Sequence, residues 1–157
     1  LRDLEGVDRT MKVTVVGAGF YGSTLAQRIA EADYAEEVVL TDVIEGKPQG
    51  LALDLMQSRP IAGFRTRVTG TNGYAEAAGS AVAVITAGVP RKPGMSRMDL
   101  LETNARIVGD VTRRLLEVAP DAVLIVVTNP LDEMTALAAE VSGLPHARVI
   151  GQAGVLD

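Results

Sequence analysis

The chain has 157 residues, 47% of them hydrophobic and 22% charged, which suits one soluble domain large enough to bury a core. Its net charge of −5, a pI near 4.9 and 3% aromatic residues argue against a nucleic-acid surface, which needs a basic face and stacking platforms. With no cysteine and a single histidine, His146, disulfides, thiolate chemistry and a multi-histidine metal site are excluded, and the composition fits a reducing cytoplasm.

The opening LRDLEGVDRT mixes both charge signs without an apolar core, so it does not read as a signal peptide. It is expected to be a loose extension or a cloning scar before Met11, the natural start, with one domain over residues 11–157. No apolar run approaches a membrane span. From Met11 onward apolar runs alternate with helical patterns. KVTVV (Lys12–Val16) is a short β-branched run ending in glycines, a buried strand. STLAQRIAEADY places Leu25, Ile29 and Ala32 on one helix face, and EVVLTD is a second strand. GLALDLMQS is a helix with Leu51, Leu55 and Met56 on one side, and TRVTG a weaker third strand before a small Ala-rich segment. AVAVITAG is a fourth strand, and a long helix is predicted from near Ser96, with Leu100, Ile107, Val111 and Leu115 recurring on one side. DAVLIVVTN, LDEMTALAAEVS and ARVIG complete the pattern as strand, helix and strand. Strands that are mostly apolar on both faces and alternate with helices imply a doubly wound, six-stranded parallel sheet, a Rossmann fold of the α/β class.

Between the first strand and its helix, VVGAGFYGSTLA supplies Gly17, Gly19 and Gly22 in the G-x-G-x-x-G pattern. Gly17 permits the tight turn, Gly19 lets backbone approach a pyrophosphate, and Gly22 lets helix and strand pack closely. The phosphates then meet free N–H groups at the positive end of the helix dipole. Asp42 closes the second strand about 20 residues on, where an acid holds the adenosine ribose hydroxyls. Its charge would repel a 2′-phosphate, which favours NAD over NADP. The alternative is a purely structural turn and a strand-end cap. The stretch GVPRKPGMSR (Gly88 to Arg97) is a loop, since Pro90, Pro93 and Gly94 break any regular element. It concentrates two arginines and a lysine in an acidic chain, either as a solvated surface loop or as a site for an anion.

The segments GAGFYGST, GLALDLM, TGTNGYA, TAGVPRKPGMSRMDL, VVTNPLDEMT and VIGQAGVLD together resemble the malate dehydrogenases of the lactate-dehydrogenase-like bacterial type, in register from Met11 to Asp157. The resemblance implies the NAD-binding half of a cytoplasmic, homodimeric or homotetrameric enzyme of the tricarboxylic acid cycle. That enzyme transfers a hydride reversibly between malate/oxaloacetate and NAD, with no metal, nucleic-acid or membrane partner. It makes the basic loop a lid with a hinge at Gly88. Within it Arg97 matches the arginine that polarises the substrate carbonyl, and Arg91 the one that pairs the distal carboxylate. A guanidinium suits that second carboxylate through paired hydrogen bonds. Asn129 matches a substrate and nicotinamide contact, though a strand-end turn before Pro130 would fit Asn-Pro almost as well. Gly17, Ala18, Gly19, Phe20, Tyr21, Gly22, Asp42, Asn104, Val127, Thr128 and Asn129 match cofactor-binding positions. Asn104 alone reads as an ordinary polar helix residue.

Asp157 matches the carboxylate that orients a catalytic histidine. The resemblance places that histidine, and an arginine for the 1-carboxylate, beyond Asp157 in a second catalytic domain that the 157 residues lack. They are therefore expected to bind cofactor without turning over substrate. His146 lies far from these motifs and is expected to have a surface or packing role. GLALDLMQS corresponds to a subunit-contact helix, unless Leu53 and Met56 simply complete the core. Two further readings stay open: a catalytically inactive NAD-binding module, and a lactate-type or other 2-hydroxyacid dehydrogenase, against which Arg91 stands.

Overall fold

A computed structural model describes residues 11–153; the ten-residue opening and Asp157 lie outside the described residues. Six strands form one sheet in the order β3-β2-β1-β4-β5-β6. They are β1 (Lys12–Val16), β2 (Glu37–Thr41), β3 (Arg67–Thr71), β4 (Val82–Ile85), β5 (Val123–Val126) and β6 (Val149–Gly151). Every neighbouring pair is parallel, with Val13 opposite both Val38 and Val82. Four α-helices connect them: α1 (Phe20–Glu31), α2 (Lys47–Ala62), α3 (Arg97–Val118) and α4 (Leu131–Ser142). The fold is the doubly wound parallel sheet expected from the alternating pattern.

The strands are apolar throughout because both faces are covered. Val15 and Val84 join one core with Ala26 of α1, whereas their neighbours Val16, Ala83 and Ile85 join the other, with Val108 and Leu115 of α3 and Met134 of α4. Alternate side chains of one strand thus enter different cores, as the two-residue period of a strand requires. The sheet order reverses between β1 and β4, which opens a crevice at their carboxyl ends.

Several element boundaries differ from the sequence expectation. Helix α1 starts at Phe20, directly after the glycine turn, and buries Gly22, Ala26 and Ala30. Leu25 and Ile29 are only half-buried, and Ala32 is an exposed C-cap. Small residues let this helix lie close on the sheet, so the larger ones flank the contact. Helix α2 is longer than GLALDLMQS at both ends, with Pro48 in its first turn, where a missing N–H costs nothing. Strand β3 reads weakly because of Gly70, yet a Cβ there would overlap the carbonyl oxygen of Pro48. The glycine is what lets the start of α2 rest on the strand. Met56 packs beside Ala52, Phe64 and Val68, but Leu53 is 58% exposed and completes no core among the described residues. β6 shortens to three residues, preceded by a 3₁₀ turn, His146–Arg148. His146 is exposed in that turn, as a surface residue.

Candidate functional site

The glycine turn follows β1 at the sheet's reversal point. Gly17 has φ +105°, a conformation that favours glycine, and its N–H donates to the Thr41 carbonyl at 2.8 Å. A Cβ on Gly17 would stand 2.7 Å from Thr86 Oγ1, and one on Gly22 would overlap the Gly17 carbonyl oxygen. Gly19 differs: it faces open space, with nothing within 4 Å of a Cβ placed there. It is also the N-cap of α1 and makes no side-chain capping bond. Among the described residues no side chain caps α1 at its start, which leaves its first-turn N–H groups to solvent or to a bound acceptor. A phosphate is such an acceptor.

Two residues brace this turn. Thr86, at the end of β4, donates its hydroxyl to the carbonyls of Val16 (2.9 Å) and Gly17 (3.1 Å). In the sequence its only signal is a hydroxyl at the end of an apolar strand. Asp42, half-buried just past β2, accepts from the Ala18 N–H at 2.6 Å through Oδ2 and from the Ile44 N–H at 2.9 Å through Oδ1. The acid thus sits against the glycine turn, with lone pairs left for further donors.

A cleft of about 560 Å³ opens beside the turn, lined by Gly19, Phe20, Tyr21, Gly22, Thr86, Val89, Arg91, Leu100, Asn104, Val127, Thr128 and Asn129, among others. It brings together most of the residues singled out in the sequence. Asp42 and Arg97 are not in its lining. Arg97 is the first residue of α3 and is exposed, because the helix is capped at Ser96. The Ser96 hydroxyl accepts from the Asp99 N–H, and the Asp99 carboxylate accepts from the Ser96 N–H. Arg91 lines the cleft while its Nε donates to the Met95 carbonyl at 3.2 Å.

Gly88 is not a hinge in the expected sense. A Cβ on it would lie 2.6 Å from Thr128 Cγ2 and 3.2 Å from Asn104 Oδ1, so its glycine serves close packing at the root of the loop. Positive φ occurs further along, at Gly94 (+87°). Asn104 holds the root. It is 2% exposed, accepts from the Val89 N–H at 2.9 Å, and donates to the carbonyls of Val89 (3.2 Å) and Asn129 (2.7 Å). Far from an ordinary polar helix residue, it joins the basic loop to the end of β5. Thr128 adds a second tie, donating to the Ala87 carbonyl at 2.8 Å. The Asn129–Pro130 peptide bond is cis, and Asn129 is exposed at the cleft.

A larger hollow, about 830 Å³, lies along α4 and β6 between Leu131, Thr135, Leu144, His146 and Val149. It includes no residue of the glycine turn or basic loop, so the smaller cleft is the better candidate. Among the described residues no group of three or more His, Cys, Asp or Glu side chains could hold a metal ion. No helix of the described residues is long and apolar enough to cross a membrane.

A family profile described as "lactate/malate dehydrogenase, NAD binding domain" matches residues 11–151. The malate dehydrogenase of Salinibacter ruber is 58% identical over 147 residues, which are 94% of this chain and 47% of that protein. A solved malate dehydrogenase structure from Salinibacter ruber superposes with a TM-score of 0.87 at 53% identity, covering 93% of this chain and 46% of that one. A Cryptosporidium parvum lactate dehydrogenase, solved with lactic acid and nicotinamide adenine dinucleotide, superposes equally well (TM-score 0.87) at 44% identity, covering 94% of this chain and 46% of that one. The chain spans about half the length of the relatives it matches.

Proposed function

Because the chain belongs to the lactate/malate dehydrogenase NAD-binding domain family, we propose that residues 11–157 are the cofactor-binding domain of a cytoplasmic NAD-dependent malate dehydrogenase. The observation that carries the proposal is the uncapped glycine turn with an acid bonded to it: open backbone at Gly19 and the Asp42 carboxylate 2.6 Å from the Ala18 N–H. The first turn of α1 meets the pyrophosphate, Asp42 meets the ribose hydroxyls, and Val127, Thr128 and Asn129 border the nicotinamide. Bound NAD would supply the hydride acceptor for malate oxidation. The chain's own groups bind and orient. Arg91 pairs the distal carboxylate of a C4 dicarboxylate, which would be costly to bury unpaired. Arg97 reaches the substrate carbonyl only when the loop beyond Val89 moves, since in the present arrangement it stands outside the cleft. Asp157 orients a histidine supplied by sequence beyond residue 157, and that histidine handles the proton.

Arg91 favours a malate over a lactate specificity, and the solved Salinibacter ruber malate dehydrogenase shares 53% identity with this chain against 44% for the Cryptosporidium parvum lactate dehydrogenase. The exposed Leu53 and Ile61 of α2 favour a homodimer or homotetramer built on that helix. Fluorescence titration tests the cofactor assignment. NADH should bind more tightly than NADPH, and Asp42→Ser should narrow the difference. Equal affinity for the two in the unaltered chain would sink the proposal.

A further inference from the structure

Asp42 can select a cofactor only if its carboxylate is held in place, and burial does not hold it. The β2–α2 loop that carries it exposes Val43 (95%) and Ile44 (54%). Asn72, just past β3, does the holding. Its Nδ2 donates to the carbonyls of Asp42 (2.6 Å) and Ile44 (2.9 Å). Its Oδ1 accepts from the Gly46 N–H (3.3 Å) and from Gln49 Nε2 (2.7 Å). A primary amide has two N–H donors and one oxygen with two lone pairs, so this side chain is used to capacity. The amide orientation is also fixed, because a flip would set Oδ1 against two carbonyls and the NH₂ against an N–H.

We propose that Asn72 is a positioning residue for cofactor specificity: it staples the loop of residues 42–46 so that Asp42 faces the ribose and rejects a 2′-phosphate. The proposal rests on the reading of Asp42 as the ribose acid. Nothing in TGTNGYA separates such an asparagine from an ordinary turn residue. Its role emerges from the loop it reaches, some 30 positions back along the chain. Without the staple the Ile44 N–H no longer stays on Asp42 Oδ1, and the carboxylate swings between the ribose position and solvent. The Ala18 N–H alone does not define its direction.

The test uses the chain with three probes: NADH, NADPH and reduced nicotinamide mononucleotide, which lacks the adenosine half. Asn72→Ala should weaken NADH about tenfold, consistent with losing a few positioning hydrogen bonds. NADPH should weaken by about twofold or less, and the mononucleotide should be unaffected. Asn72→Leu, of similar shape, should behave alike and guards against an unstable alanine variant. Gln49→Ala, which removes only the outer partner, should leave the NADH:NADPH ratio unchanged. In an Asp42→Ser background Asn72→Ala should shift the ratio no further, as expected when one residue acts through the other. A ratio that stays put in both Asn72 variants while Asp42→Ser collapses it overturns the proposal, as does equal weakening of all three probes. An unmoved ratio in Asp42→Ser would instead overturn the ribose reading itself, and the proposal with it.

Discussion

Arg91 borders the open cleft beside the glycine turn. Its Nε is occupied by the Met95 carbonyl, which leaves the terminal nitrogens of the guanidinium for a carboxylate. In the full-length enzyme, Arg91→Gln should cost oxaloacetate roughly 3–5 kcal/mol of transition-state binding, because the distal carboxylate loses its charged partner. Pyruvate, without that carboxylate, should lose little or gain. The measurement is the ratio of the two kcat/KM values, and a ratio that does not move removes Arg91 as the discriminator. Gly88 and Asn104 show what a single residue hides in sequence. The glycine reads as freedom and is in fact a close approach; the asparagine alone reads as an ordinary polar helix residue and is a buried clamp. Neither difference is local, since Gly88 packs on Thr128 and Asn104 bonds to Asn129, both in the segment that follows β5.

At the level of elements, the amino ends of β1, β2 and β3 are tied by charge. Glu37 of β2 is 9% exposed; it accepts from Thr69 Oγ1 at 2.9 Å and pairs with Arg67 at 2.9 Å and Lys12 at 3.5 Å. Burial pushes its carboxyl upward, but the Thr69 hydroxyl, Arg67 and Lys12 outweigh burial and leave it below the ordinary 4.5. A carboxylate lowered in the folded state stabilises the fold at pH values above its unfolded value, and that contribution is lost as pH falls through the folded one. Glu37→Gln should therefore cost about 1–2 kcal/mol at pH 7, a modest figure because Arg67 is largely exposed. Thermal melts of the two proteins should converge as pH drops below 4.5. A constant gap across that range would show that the loss is one of packing. Elements were readable where their own residues decide them. LDEMTALAAEVS is α4 to the residue, and the Ser96–Asp99 reciprocal cap sets the start of α3. α1 starts three residues before STLAQRIAEADY, and β3 is present where TRVTG predicts it but reads weakly, because small residues, Gly22 and Gly70, answer to the element packed on them. A glycine in sequence does not say what lies opposite.

For the molecule as a whole, the proposed reading assigns these residues the cofactor cleft and not the acid–base histidine. Gly19, Asn104 and Thr128 converge within one sheet, so a polypeptide of these 157 residues should bind NADH. It should not oxidise NADH with oxaloacetate above the buffer blank. General acid–base catalysis typically contributes a factor of about 10² to 10⁴, and misplacing the substrate by about 1 Å can remove a further 10². A loop that closes on solvent also leaves Arg97 in high dielectric. Absorbance at a fixed NADH concentration checks this, and robust turnover by a preparation of this mass would refute the division of labour.

The bracing of the glycine turn has a consequence for how the domain lives as a physical object. Gly17 is bonded to β2 on one side, and Thr86, just past β4, reaches it from 69 positions away on the other. No local segment can make this turn by itself; it exists only when both halves of the sheet have docked. The nucleotide seat is thus built from contacts of large sequence separation. Whatever binds there recognises the assembled sheet and nothing less, so occupancy is linked to global unfolding. At a hundredfold excess over its Kd a ligand adds about 2.7 kcal/mol to the fold, and a core substitution on either side of β1 weakens the seat without touching it.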